Sequence, residues 1–453
     1  MKNYNDPVFR KKLVSLILPM TLQNFMFALV PVSDTVMLAA LSQNAMSAVS
    51  LATQVTFVLN LFVFAVTANA SMFAAQYWGK GDVSSIEKLF GYAVRIVLPV
   101  LLVFFSCAMF LPEGVMRIYT SDPAIIAEGI PYLRFAAPSY VLMALAMVYE
   151  TILKNTGFVK QCTFASAVMV VMNIILNAVF IFGLLGAPEM GAAGAALATA
   201  ISYGLGFFAC VLFSLKPKAV RLRLKYIIHT DMEFRRSFSK YSTPYLLNQL
   251  LWGFGFTMIS VILGHMGSDA VAANAIVAVV KDLVSCFCYA LGSGGAIVVG
   301  NELGAGRLEQ AKLYGGRLSK LTIISGIILG LIAAASTPLV LSLVSLTDTA
   351  EHYLGAMLMM CSYYILGRSI NATLIGGIFS AGGDTKFGLI CDSLTMWAFI
   401  VPLGAFAAFV LKLPVLVVYF ILNLDEIIKL PAVYIHYKKY KWVRNIVSDK
   451  EII

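Results

Sequence analysis

The stretch QYWGKGDVSSIEK, Gln76–Lys88, returns 225 positions later as NELGAGRLEQAKL, Asn301–Leu313. Each copy leaves a long apolar run, crosses a glycine pair (Gly79 and Gly81; Gly304 and Gly306) and enters a polar segment. A phosphate cradle would need a strand before the glycines and a soluble helix after them. Neither copy has that setting, so the glycines read as tight turns. The same offset lays Lys240–Pro244 on Ser15–Pro19, and MGSDAVAANAIVAVV, from Met266, on LSQNAMSAVSLATQV, from Leu41. A slightly longer shift pairs GGDTKFG, from Gly382, with NTGFVKQ, from Asn155. One offset held across several landmarks implies two related halves.

The material between these landmarks is lipid-soluble. Of 453 residues, 60% are hydrophobic and 12% charged, against roughly 25% charged in a soluble domain. Apolar runs of about 20 residues without strict alternation read as membrane helices. About twelve spans are expected, at roughly 13–38, 46–74, 90–111, 130–153, 163–186, 192–215, 242–264, 270–299, 319–345, 353–379, 387–411 and 414–436. The fold class is thus an all-α membrane protein of two six-helix lobes. Residues 1–215 form the N-lobe, 216–241 a basic linker loop and 242–453 the C-lobe. An even number of helices per half makes the repeats parallel, about an axis along the membrane normal, as in many transporters. GAAGAALA from Gly191, and Gly326 with Gly330, read as small-residue faces for close helix packing. No cleavable leader is expected, because the apolar run after MKNYNDPVFRKK passes Leu18-Pro19 without a small-residue cleavage site.

Lys and Arg crowd one set of loops, including Arg10–Lys12, Lys80, Lys154, the run KPKAVRLRLKY from Lys216, Arg307 and Lys438–Lys439. The opposite loops, LSQNA, LGAPEMG, HMGSDA and LTDTAEH, nearly lack them. The positive-inside rule then puts both termini in the cytoplasm. This bias accounts for the net charge of +10 without a nucleic-acid partner, which would need a soluble basic domain. The seven cysteines all fall in apolar spans and read as small buried hydrophobes.

A charge at the bilayer centre costs about 2.5–3.5 kcal/mol even on the lenient insertion scale. The spans hold few: Asp34, Glu150, Lys281-Asp282, Arg368, Asp392, and Asp425, Glu426 and Lys429 on the last helix. Glu426 and Lys429, at i, i+3, suit a structural pair. Glu150 lies near the cytoplasmic end, where it is either solvated or functional. Asp34 has no basic neighbour within helical reach and follows Pro31, which tends to bend a helix. Two readings stand for it. In a water-accessible cavity it binds and releases a proton or holds Na+, the sole metal-ion candidate; otherwise it stabilises a helix break or sits at headgroup level. Asn173 and Asn177, at i, i+4, share a face of the fifth span. They are either partners of Asp34 or interhelical glue. Trp252, Tyr140 and Tyr364 offer ring faces to a cationic substrate or serve packing.

The chain resembles the multidrug and toxic compound extrusion (MATE) family along nearly its whole length. The resemblance rests on LILPM, VSDTVMLAALSQNAMSAVSLA, AAQYWGKGD, MNIILNAVFIFG followed by PEMGAAGAALAT, VAANAI, VVGNELGAGRLEQAK and FSAGGDTKFG. It implies a V-shaped fold whose two lobes open alternately to each side. It also implies export of organic cations and amphiphilic drugs in exchange for H+ or Na+, without a cofactor. Asp34 matches the family's first-helix aspartate, and Asn173 a polar position near it. Asn177 departs, because a second aspartate is common there in archaeal and DinF-like members; the lost charge favours H+. Trp252, four residues before Phe256, stands where many NorM-like members carry a glutamate. The chain therefore looks closer to the prokaryotic DinF-like branch. Asp392 is a compensating candidate without a family counterpart.

The expected cycle is antiport. Protonation of Asp34 bends the first helix at Pro31 and lowers affinity for a cationic substrate, and deprotonation restores it. A bacterial inner-membrane location and a monomer are expected. The alternative is a flippase for a lipid-linked precursor, which needs several cavity cations; the N-lobe spans show only Arg95 and Arg134, near helix ends. An intramembrane enzyme is disfavoured, since His229, His265, His352 and His436 form no cluster.

Overall fold

The structure is a computed structural model that describes residues 7–344 and 346–448. It is helical, with no strand among the described residues. The long helices are α1 (Pro7–Leu41), α2 (Gln43–Lys80), α3 (Val83–Phe110), α4 (Pro123–Asn155), α5 (Val159–Phe182), α6 (Gly191–Ser214), α7 (Met232–Gly264), α8 (Ser268–Gly304), α9 (Leu308–Ala335) and α10 (Asp348–Asn371). A π-helical stretch, Ala372–Phe379, prolongs α10. α11 (Thr385–Ser393) runs on through further helical turns to Val410. α12 (Val415–Leu422) is followed by the short helix Asp425–Ile428 and by α13 (Leu430–Lys438).

Among the described residues, ten helical stretches are long and apolar enough to cross a membrane. The two expected spans outside that set, at 353–379 and 414–436, are helical as well. α10 opens with Asp348 and Glu351 and carries Arg368, while the last span is broken and carries Asp425, Glu426 and Lys429. Large apolar side chains face outward along the spans, such as Leu18, Phe110 and Ile324. In lipid these need no further cover, and the helices satisfy their own backbone.

The repeat appears in the backbone. Gly81, at φ +80°, turns α2 into α3, and Gly306, at φ +75°, turns α8 into α9. A β-carbon is strained in that left-handed region, which explains the glycine in both copies. Gly157 and Gly383, at φ +92° and +76°, likewise precede α5 and α11. This corrects the pairing of that segment by one position: the offset is 226.

By their contacts the residues form two compact units, Leu22–Arg235 and Arg236–Ile453 with Met1–Thr21. In the first unit α4 packs along α2, α3 and α6, and α5 lies on α6. Residues 216–235 are not a bare loop. The short helix Leu224–Ile228 lies on α3, where Arg223 pairs with Glu87 at 2.7 Å and Arg95 donates to the Ile228 carbonyl at 2.8 Å. Gly91 admits it: a β-carbon there would stand 2.6 Å from the Tyr226 Cβ.

In the second unit α10 packs on α8 and α9. Gly326 and Gly330 form the expected small face of α9, against Leu366 and Ser362 of α10. The first turns of α1 count with this unit, although in sequence they belong to the N-terminal half. Phe9 meets Tyr314 with ring centroids 4.6 Å apart, Lys12 reaches Glu302 at 3.8 Å, and Ile17 packs at Gly294.

Candidate functional site

The first unit brings three of the expected residues together. α1 runs unbroken through Pro31, and the Thr35 hydroxyl donates to the Pro31 carbonyl at 2.7 Å. One turn beyond Pro31, Asp34 accepts a hydrogen bond from Asn177 Nδ2 of α5 at 2.5 Å. The same Nδ2 approaches Asn173 Oδ1 at 3.3 Å, and Asn173 Nδ2 donates to the Thr199 hydroxyl of α6 at 3.2 Å. Both asparagines are buried and Asp34 is half-buried. The result is one carboxylate held by a chain of neutral dipoles. Hydrogen bonds to a charged group are worth about 1.5–3 kcal/mol, more than neutral ones. Asn177 Oδ1 is buried without a partner among the described residues. An amide with one free oxygen can rotate to accept from a protonated acid, so the pair suits either protonation state of Asp34. Tyr132 and Tyr203 lie within electrostatic reach of Asp34.

Glu150 belongs to a second cluster in this unit. Its carboxylate accepts from Gln23 at 2.8 Å, Ser166 at 3.0 Å and Lys154 at 2.9 Å. It is therefore paired and enclosed rather than solvated. Tyr140 is 1% exposed, buried in its own unit.

The second unit holds Asp392 and Trp252. Asp392 accepts from Asn248 of α7 at 3.0 Å and pairs with Lys429 at 2.9 Å. Lys429 also pairs with Glu426 at 3.2 Å, as the i, i+3 spacing suggests, and Arg368 reaches Glu426 at 2.7 Å. Trp252 stacks on Phe256 with centroids 5.6 Å apart, and the Arg368 guanidinium lies 5.4 Å from its ring. The cation over this tryptophan is thus the chain's own arginine. Lys281 lies 4.0 Å from the centre of the Tyr364 ring and donates to Asn423.

The repeat relates the two units here. Gln23 donates to Ser166 at 2.6 Å, between α1 and α5. Its counterpart Asn248 donates to Asp392 between α7 and α11. Asp392 therefore stands at the place of Ser166, which the offset of 226 finds in the sequence alone. Thr199, Tyr132 and Tyr203 were not singled out by sequence reasoning, because uncharged residues on apolar helices carry no anomaly.

Comparison with known proteins follows this pattern. The MatE family model matches residues 19–179 and again residues 244–406, so its two starts stand one repeat apart. YisQ of Bacillus subtilis, an uncharacterized transporter, is 24% identical over 412 residues, 89% of this chain and 88% of its own length. The probable multidrug resistance protein NorM of Pasteurella multocida is 25% identical over 426 residues, 87% and 85% of the two chains. Among solved structures, the Vibrio cholerae MATE transporter VcmN in its bent form aligns with a TM-score of 0.84 at 17% identity, over 96% of this chain and 97% of that one. A MOP superfamily transporter from Pyrococcus furiosus aligns with a TM-score of 0.86 at 16% identity, over 96% of each. These structures show the fold. Matched in both halves by one family model, this chain belongs to the MatE family and is a multi-pass membrane transporter.

Proposed function

We propose that this protein is a multidrug efflux antiporter of the bacterial inner membrane. It exchanges organic cations and amphiphilic drugs for a coupling cation, H+ in preference to Na+. The observation that carries this reading is the Asp34 carboxylate, held by the Asn177 amide at 2.5 Å with no second carboxylate bonded to it among the described residues. Na+ favours several oxygen ligands held around it at once; a proton needs one carboxylate and an amide able to turn. Multidrug resistance proteins among the relatives support the substrate class. Asp34 is the shared site: deprotonated it attracts a cationic substrate, protonated it releases one. On protonation α1, unbroken here, bends at Pro31, next to the Thr35 hydroxyl that caps the Pro31 carbonyl.

The lobes are read as 1–215 and 242–453 around the basic segment 216–241, with both termini cytoplasmic and the monomer as the working unit. Trp252 in α7 supports placement nearer the DinF-like branch. A flippase for a lipid-linked precursor has less support, because Arg368 and Lys429 already neutralise Glu426 and Asp392.

The test is efflux of a fluorescent cationic dye in inverted vesicles, under an imposed pH gradient and then a Na+ gradient. Wild type should respond to the pH gradient, and Asp34→Asn should be inactive at equal protein level. Undiminished coupled efflux by Asp34→Asn would overturn the reading.

A further inference from the structure

The last membrane span is broken at a buried carboxylate that no step above uses. α12 ends at Leu422, Asn423 and Leu424 interrupt it, and helix resumes at Asp425. The neighbouring charges have partners. Glu426 is held by Arg368, Lys429 and Asn371, and Asp392 by Lys429 and Asn248. Lys281 leans on neutral groups: Asn423 Oδ1, and the rings of Tyr364 and Tyr419 at 4.0 and 5.3 Å. Asp425 is 7% exposed, and its carboxylate has no hydrogen bond or ion pair among the described residues. It lies within electrostatic reach of Glu426, Lys429, Arg368 and Lys281, and of Tyr363 and Tyr364. Asp392 on α11 and Asp282 beside Lys281 on α8 complete the charged surroundings.

We propose that Asp425 is a proton-binding site in the C-terminal unit, with Lys281 as its movable counter-charge. A carboxylate only 7% exposed and without a partner among the described residues is costly to keep charged, and a proton or a cation in contact lowers that cost. Lys281 has a long flexible stem, is near enough to interact, and touches no carboxylate within ion-pair distance. The site therefore has two satisfied arrangements. In one, a proton from water sits on Asp425 while Lys281 stays where the structure has it, on Asn423 and Tyr364. In the other, the proton has returned to water and Lys281 contacts the carboxylate. A metal ion suits the place less well. Lys281, Arg368 and Lys429 surround it with positive charge, and no group of three His, Cys, Asp or Glu among the described residues is placed to hold one. The helix break supplies the movable part, because Asn423 both interrupts α12 and holds Lys281. The role of Asp425 in exchange rests on the antiport reading above; the proton site itself does not.

The experiment uses the full chain, purified in detergent with little buffer, with a pH indicator and tetraphenylphosphonium as the probe cation. Protons released per bound cation are compared among wild type, Asp34→Asn, Asp425→Asn and Lys281→Met. The expected result is one proton fewer from Asp425→Asn than from wild type, beyond the loss seen at Asp34. Equal release from wild type and Asp425→Asn would overturn the proposal, as would release that requires Na+. Infrared difference spectra across pH provide a second readout, with Asp425→Glu standing in where Asp425→Asn does not fold. A titrating carboxylic-acid band that moves in Asp425→Glu supports the site; its absence overturns it. If only Asp34→Asn changes release, this inference falls and the antiport reading stands. If wild type releases no protons, the antiport reading falls, and the infrared band still decides Asp425.

Discussion

Asp34 sits where a buried charge ordinarily recruits a cation, and it is met by an amide. That choice bears on ion selectivity. Asn177→Asp would place a second carboxylate against the first, and such a pair either shares a proton or binds a metal ion. Dye efflux by Asn177→Asp should become stimulated by Na+ at fixed pH; an unchanged response to Na+ would show that the amide does not set the ion. Glu426 offers a contrasting case. It is fully buried between Arg368 and Lys429; Lys429 keeps Asp392, so Glu426→Gln leaves Arg368 without a carboxylate. The cost should be about 3–5 kcal/mol, read as a lower thermal midpoint in detergent. At this scale, legibility followed charge. Asp34 stood out because nothing acidic or basic lies near it, and the i, i+4 spacing joined Asn173 to Asn177. The Lys429–Asp392 pair escaped notice because no local spacing rule links residues on different helices. Glu150 was read by depth alone, which does not reveal Gln23 and Lys154.

Helix ends and crossings were easier to read than helix interiors. The glycine turns at Gly81 and Gly306 and the small face at Gly326 and Gly330 follow from residue type, and the backbone uses them as expected. Gly330→Val should overpack the α9–α10 crossing, where a β-carbon already meets the Ser362 carbonyl oxygen at 2.5 Å. A loss of about 1–3 kcal/mol is expected, visible as earlier thermal unfolding followed by a thiol-reactive dye. Gly81→Ala should cost about 1–2 kcal/mol through its left-handed backbone. The break after α12 was not legible, since ILNLDEII contains neither proline nor glycine. It coincides with Asn423, whose side chain donates back to the Tyr419 carbonyl at 2.8 Å while its oxygen accepts from Lys281. Half of that cause lies on α8, out of reach of any local pattern.

Across the whole molecule, the repeat and the charge bias of the loops carry most of the reading. The offset of 225 marks the same landmarks that the family model finds twice. Orientation can be checked directly. In a cysteine-free background, Ser42→Cys should react with an impermeant thiol reagent in intact cells, and Lys218→Cys only after permeabilisation; the reverse pattern would invert the topology. What sequence order concealed is the allegiance of the first turns of α1. Phe9, Lys12 and Ile17 leave the ribosome well before their contacts, Tyr314, Glu302 and Gly294. At about 5–20 residues per second, some 15–60 seconds separate the synthesis of Phe9 from that of Tyr314. For that interval the opening segment must wait in the membrane with its contact surface unfilled. Truncations that remove α8 and α9 should therefore leave a defect in the first turns of α1, far from the deletion.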